Sequence, residues 1–333
     1  MMPSAGPWLT LPSMPTEPLE RRSTLDGNSS RRLERLIAPV FVLIWSTGFI
    51  GARYGMPHAE PATFLSLRFA GVLVIMVPVV LFLRLPFPGR VKAGHLVVAG
   101  LLIQGGYLLG VFEAVRRGMP AGVAALIVGL QPILTAVFSG IVGERVTRLQ
   151  WLGLALGLSG VVLVVAERLT ATGMTMVSVA ANVGALLSIT IGTLYQKRFV
   201  PTFDLRTGSV IQFAAGLLLV VPVAFLFESR EIDWAPQLIG AIAWSIVALS
   251  IGATSLLFLL IRRGAATKVA SLMYLTPAVT AIMARILFGE RLSLIMVLGI
   301  GLTALAVAIM VRTPSKTAPP VHSRKTNASA GSA

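Results

Sequence analysis

Ten apolar blocks, each long enough to cross a bilayer as a helix, occupy the chain between Ile37 and Val311 and leave few folds open to it. A bilayer core about 30 Å thick takes roughly 20 apolar helical residues. The blocks fall at 37–56, 61–83, 94–115, 119–142, 149–166, 174–195, 208–227, 237–260, 267–288 and 293–312. Backbone surrounded by lipid must satisfy its own hydrogen bonds, which restricts a spanning chain to helices or a closed barrel. Barrel strands are shorter and alternate in polarity, so the expected fold class is an all-α integral membrane protein. Composition agrees, since 12% of the 333 residues are charged, about half of what a soluble domain carries.

The net charge of +15 does not point to nucleic acid, because the basic residues flank apolar blocks and form no aromatic-interleaved stripe. They read as topology signals. With the N-terminus in the cytoplasm, 20 of the 28 Lys and Arg residues fall on the cytoplasmic side and six on the other: Arg53, Arg116, Arg117, Arg168, Arg230 and Arg291. Arg68 and Arg285 lie within blocks. The positive-inside rule then places both termini in the cytoplasm. Residues 1–36 and 313–333, polar and proline-bearing, read as disordered cytoplasmic tails. The 37–56 block is too long for a signal-peptide core and no A-x-A-like site follows it, so cleavage is not expected. The three histidines, His58, His95 and His322, lack ligand spacing, and there is no cysteine, so neither a metal nor another cofactor is expected. No phosphate-binding P-loop is present to couple the chain to ATP.

Compared with itself at a constant offset of 146, the chain aligns Arg116–Val165 with Arg262–Val311. Arg116-Arg117-Gly118 matches Arg262-Arg263-Gly264, Val123-Ala124 matches Val269-Ala270, and Gly143-Glu144-Arg145 matches Gly289-Glu290-Arg291. Apolar identities arise easily by chance; charged triplets at both ends of one register do not. The sequence is a duplication, with copies over 37–166 and 174–312. Five spans per copy is an odd number, so the second copy enters the membrane upside down, as in carriers that bind substrate between inverted repeats.

The Trp45-Ser46-Thr47-Gly48-Phe49 segment, Leu67-Arg68-Phe69, and the paired stretches from Ala124 through Arg145 and from Ala270 through Arg291 resemble the drug/metabolite transporter superfamily, specifically its EamA-like members. The resemblance covers 37–312 and implies a 5+5 inverted-repeat carrier. In bacteria such a carrier is usually an inner-membrane exporter of metabolites, amino acids or toxic compounds. The long basic N-terminal tail departs from the compact family pattern.

Polar side chains at lipid depth are costly unless they face protein or water. Those expected to line a substrate cavity are Trp45, Ser46, Gln104, Tyr107, Gln131, Thr190, Trp244, Tyr274 and Thr276, with Thr47, Ser188, Thr193, Tyr195 and Ser245 nearby in sequence. Each has a structural reading too. Ser and Thr bond their own helix or a neighbour, and Trp and Tyr anchor at interfaces. Pro132 and Pro277 free backbone carbonyls in spans four and nine. Arg68 and Glu113 are expected to pair as a gate or charge site, and Glu113 is the one membrane carboxylate suited to proton coupling. Glu144 and Glu290 read as helix-end ion pairs. Spans five and ten are nearly all aliphatic and are expected to pack the scaffold or a homodimer surface. Rival readings are a structural or sensory membrane subunit and an intramembrane enzyme, which would need clustered acidic residues to hold Mg²⁺.

Overall fold

The computed structural model describes residues 39–139, 147–171, 174–256 and 275–311. Helices carry the chain in the order α1 (39–55), α2 (Pro61–Phe82), α3 (Arg90–Arg116), α4 (Ala121–Val128), α5 (Gln131–Ser139), α6 (Arg148–Ala171), α7 (Met176–Phe199), α8 (Leu205–Phe227), α9 (Pro236–Leu256), α10 (Thr276–Phe288) and α11 (Leu294–Val311). Among the described residues there is no β-strand, only an isolated bridge between Ala59 and Ile232. Six helices, α2, α3, α6, α7, α8 and α9, are long and apolar enough to cross a membrane. Helix is present in each of the ten expected intervals, with the fourth divided between α4 and α5 by a turn at Gly129 and Leu130. The triplet 143–145, the stretch 262–270 and Tyr274 lie outside the described residues.

Local chemistry sets the helix ends. Pro61 and Pro236 open α2 and α9, where proline's fixed φ is an advantage and its missing N–H is no loss. Asp204 caps α8, its carboxylate accepting from the Arg206 and Thr207 N–H groups. Thr175 does the same for α7 through Ser178. Gly289 closes α10 at φ +66°, a left-handed conformation that costs glycine little.

The surface is apolar and the interior partly polar, the reverse of a soluble protein. Phe82, Ile286, Val74 and Leu294 are each more than 70% exposed, while Ser46, Asn182, Thr190, Ser245 and Thr280 are fully buried. Large apolar side chains left in water would each forgo about 1.5–3 kcal/mol, so lipid is the medium that fits this surface. Inside, hydroxyls bond main-chain carbonyls: Ser46 donates to Val42, Thr190 to Leu186 and Thr280 to Ser46, while the Asn182 amide donates to Ala124 on α4.

Helix pairing is specific. α6 packs on α11, α2 on α8, α4 on α10, and α3 on both α7 and α8. α1 lies against α9 and α10, with Gly48 beside Leu249 and the Ser46 carbonyl accepting from Thr280. The aliphatic helices expected to form scaffold or dimer surface, α6 and α11, meet each other within one chain. Their backbones touch through Gly160 and Gly299, since a Cβ on either would lie 2.7 Å from the other's carbonyl oxygen. Gly160→Ala is therefore expected to destabilise the protein by about 1–3 kcal/mol, the usual cost of overpacking. Thermal unfolding in detergent checks this, with Gly184→Ala not destabilised because no atom lies within 4 Å of a Cβ there and alanine suits a helix interior better than glycine.

Candidate functional site

α3 and α9 each depart from α-helical winding in mid-course. Leu101–Gly106 and Ser245–Ala253 are π-helical. The wider π turn loosens the carbonyl register, a feature frequent at functional sites. Side-chain hydroxyls take up the acceptors: Ser188 of α7 donates to the Leu102 carbonyl at 2.9 Å, and Ser250 donates to the Ser245 carbonyl at 2.9 Å. Shifted by the repeat offset, the first π segment falls on 247–252, inside the second.

Between these segments lies a cavity of about 100 Å³. α1 supplies Trp45, Gly48 and Phe49; α2 supplies Arg68; α3 supplies Gln104 and Tyr107 with Leu108 and Phe112; α7 and α8 add Ile189 and Phe213; α9 adds Leu249, Ser250 and Thr254. Aromatic rings make up much of the wall, as in small-molecule sites generally. Arg68 is 6% exposed and donates through Nε to the Ser250 hydroxyl at 3.2 Å. That hydroxyl in turn bonds the π carbonyl of Ser245, so the second π segment orients the arginine. None of the lining side chains is a carboxylate.

A second group of contacts ties loops together at one end of the bundle. The Glu60 carboxylate accepts from Arg116, from the Ser229 N–H and hydroxyl, and from the Arg230 N–H. Glu228, just past α8, caps α2 by accepting from the Ala62 and Thr63 N–H groups at 2.7 and 2.8 Å. His58 and Asp233 meet at 2.7 Å. At the same end Glu290 accepts from the Ala121 N–H at 3.2 Å, and Ser293 donates to Glu167 at 2.6 Å. Thus Glu290 does fasten a helix end, by capping α4 rather than by pairing with Arg291. Arg53, Arg285 and Arg291 line a basic pocket beside it.

The sequence candidates separate into groups. Trp45, Gln104, Tyr107 and Arg68 converge on the cavity. Ser46 and Thr190 are buried on their own helices, and Gln131 donates to Thr193 at 3.2 Å, tying α5 to α7. Trp244 donates to Thr47 at 2.7 Å in a separate lateral pocket between α1 and α9. Thr276 is buried at the start of α10. Ser188 and Ser245 serve the π segments, and Tyr195 meets His95 at 2.7 Å, near the opposite end from Glu60. Pro132 follows the Gly129–Leu130 break as the second residue of α5, and Pro277 is the second residue of α10. The two breaks touch, because a Cβ on Gly129 would lie 2.9 Å from the Pro277 ring.

The expected Arg68–Glu113 pair is not formed. Arg68 turns inward to Ser250, whereas Glu113 pairs with Arg117 one turn along α3 in a partly exposed position. An i,i+4 partner on the same helix costs little to order, and it occupies the carboxylate. Ser250, Phe112, Phe213 and Thr254 were missed as lining residues: the π winding of α9 decides which of its side chains turn inward, and the two phenylalanines are indistinguishable in sequence from apolar packing residues.

Together these features define an all-helical membrane protein with an internal cavity at a partly polar helix seam. The model of the EamA-like transporter family matches residues 35–166 and again 176–312. The chain belongs to that family. It is 27% identical over 286 residues to the inner membrane transporter YedA of Escherichia coli, covering 84% of this chain and 92% of that protein. It is 26% identical to a probable amino-acid metabolite efflux pump of Salmonella typhimurium, covering 79% and 89%. A crystal structure sharing 19% identity superposes with a TM-score of 0.58 over 84% of this chain and 96% of that one, which is a likeness of fold.

Burial works against the charged form of Glu60, yet the Ser229 donors and the Arg116 guanidinium outweigh it and hold its carboxyl below the ordinary value. A depressed pKa contributes stability that is present above the unfolded value and lost as pH falls through the folded one. The tie is therefore expected to hold at neutral pH and to release only below the usual carboxylate range. Protection of 228–235 against hydrogen exchange, taken relative to the intrinsic rate at each pH, should fall under strong acid, and Glu60→Gln should show less protection already at pH 7.

Proposed function

We propose that this chain is a secondary carrier that moves a small metabolite across the bacterial inner membrane by alternating access. It is built as ten membrane helices in two inverted five-helix copies, with both termini in the cytoplasm. The observation that carries this reading is the cavity at the junction of the copies, walled by α1–α3 from one and α7–α9 from the other, with a π segment in the corresponding helix of each.

The pairing of helices supports the inversion. Equivalent helices meet across the seam as α2 with α8, α4 with α10 and α6 with α11, and the α3–α7 contact has its counterpart in α9 against α1. That is the pattern expected of two copies related by a pseudo-twofold axis, which an odd number of spans per copy would lay in the membrane plane. The ties at the Glu60 end join connections from both copies, so the state described is closed there; by the distribution of basic residues, that end faces outward. Names given to relatives, amino-acid metabolite efflux pumps among them, support export of amino-acid-like solutes.

Glu113 lies outside the cavity wall and is engaged by Arg117. Transport is therefore read as facilitated exchange with no proton taken up at that residue. An enzymatic role finds little support, because the wall offers no carboxylate or histidine to hold a metal or move a proton.

Reconstituted into liposomes loaded with mixed metabolites, the protein is expected to show saturable counterflow of a small solute. The rate should be unchanged by an imposed pH gradient and by Glu113→Gln. Absence of counterflow for every solute tried would defeat the carrier reading, and loss of transport in Glu113→Gln would restore the proton role.

A further inference from the structure

We propose that the cavity is an anion site, selective for solutes that carry one carboxylate-type group on an apolar body, with Arg68 as its charge anchor; this rests on the carrier reading. Arg68 is the one charged residue in the wall. It is buried, and among the described residues neither a carboxylate nor any other acceptor engages its terminal Nη groups; its only hydrogen bond is Nε to Ser250. A guanidinium offers five donors in a planar fork suited to a carboxylate. Here one edge is fixed by protein and the other faces the cavity.

A buried arginine serving only the scaffold is ordinarily paired, because an isolated charge at lipid depth is costly. Among the described residues Arg68 lacks that pairing, and its counter-charge is assigned to a bound solute. The Tyr107 hydroxyl, likewise without a hydrogen bond among the described residues, stands in the same wall as a second donor. The rest of the wall divides between a few neutral polar side chains, Gln104, Ser250 and Thr254, and a larger apolar set that includes Trp45, Phe49 and Phe112. That division suits a solute with a charged head and an apolar tail. A cation would meet Arg68 with no carboxylate to hold it, and like charges in a low dielectric repel strongly. The pocket at the Glu60 end sets four arginines, Arg53, Arg168, Arg285 and Arg291, against Glu167 and Glu290, a net positive lining that would favour anions.

Three probes of one shape separate the possibilities: 3-phenylpropionate, phenylalanine and phenethylamine, an anion, a zwitterion and a cation on the same aromatic body. Binding to the full chain in detergent is read by thermal stabilisation and titration calorimetry. Phenylpropionate is expected to bind at least tenfold more tightly than phenethylamine, with phenylalanine between them. Arg68→Gln should lower phenylpropionate affinity at least tenfold, about 1.4 kcal/mol. Arg68→Lys, which keeps the charge without the fork, should lose less. Ser250→Ala, which leaves the charge in place but frees Nε, guards against misfolding of the Arg68 variants and should narrow the preference for the anion. Equal binding of anion and cation, absence of anion binding, or anion affinity untouched in all three variants would overturn the assignment. Anion binding without counterflow in liposomes would instead sink the carrier reading and leave the anion site standing.

Discussion

Lipid offers no hydrogen bonds, and the arrangement of this protein follows from that single deficit. A polar group at depth is costly without a partner, so most hydroxyls turn back onto carbonyls, Asn182 reaches across to α4, and Arg68 faces the seam rather than the bilayer. Exposed leucines, valines and phenylalanines cover the outside. The partly polar interior is thus wrapped in an apolar coat, and the cavity lies at a place where that interior is left open.

That place is where helical winding changes. An α-helix leaves no carbonyl over in mid-course, whereas the π segments of α3 and α9 do, and the hydroxyls that satisfy them bring neighbouring elements into register around the cavity. Ser250 serves twice, bonding the π carbonyl and receiving the arginine. Close backbone contact does the opposite work at α6 and α11, where Gly160 and Gly299 let two helices meet with no space between them. The loop ties around Glu60 and Glu228 then close one end of the cavity seam with charged and backbone partners that water can reach and compete for.

Much of this was legible in the sequence. Block length and hydropathy gave the membrane class, and the charged triplets of the 146-residue register gave the duplication that the family model also meets twice. Trp45, Gln104, Tyr107 and Arg68 were singled out because polarity at depth is costly, and all four reach the cavity. The same rule overreached for Ser46, Thr190 and Gln131, whose costs are met by backbone or by a neighbouring threonine. Arg68 and Glu113 were matched as opposite charges at similar depth, yet azimuth around the helix, not depth, decides who meets whom. Nothing in composition marks the π winding that carries Ser250 and Leu249 into the wall.

Because the chain contains no cysteine, single cysteines can be introduced without background, and their labelling by an impermeant maleimide in intact cells tests the inverted architecture most directly. Corresponding connections in the two copies, 56–60 and 200–204, are predicted to report opposite faces of the membrane, with Pro57→Cys labelled from outside and Pro201→Cys protected until the cells are opened. Labelling of both from the same side would mean that the copies run in parallel, and the two-fold seam on which the cavity depends would not exist.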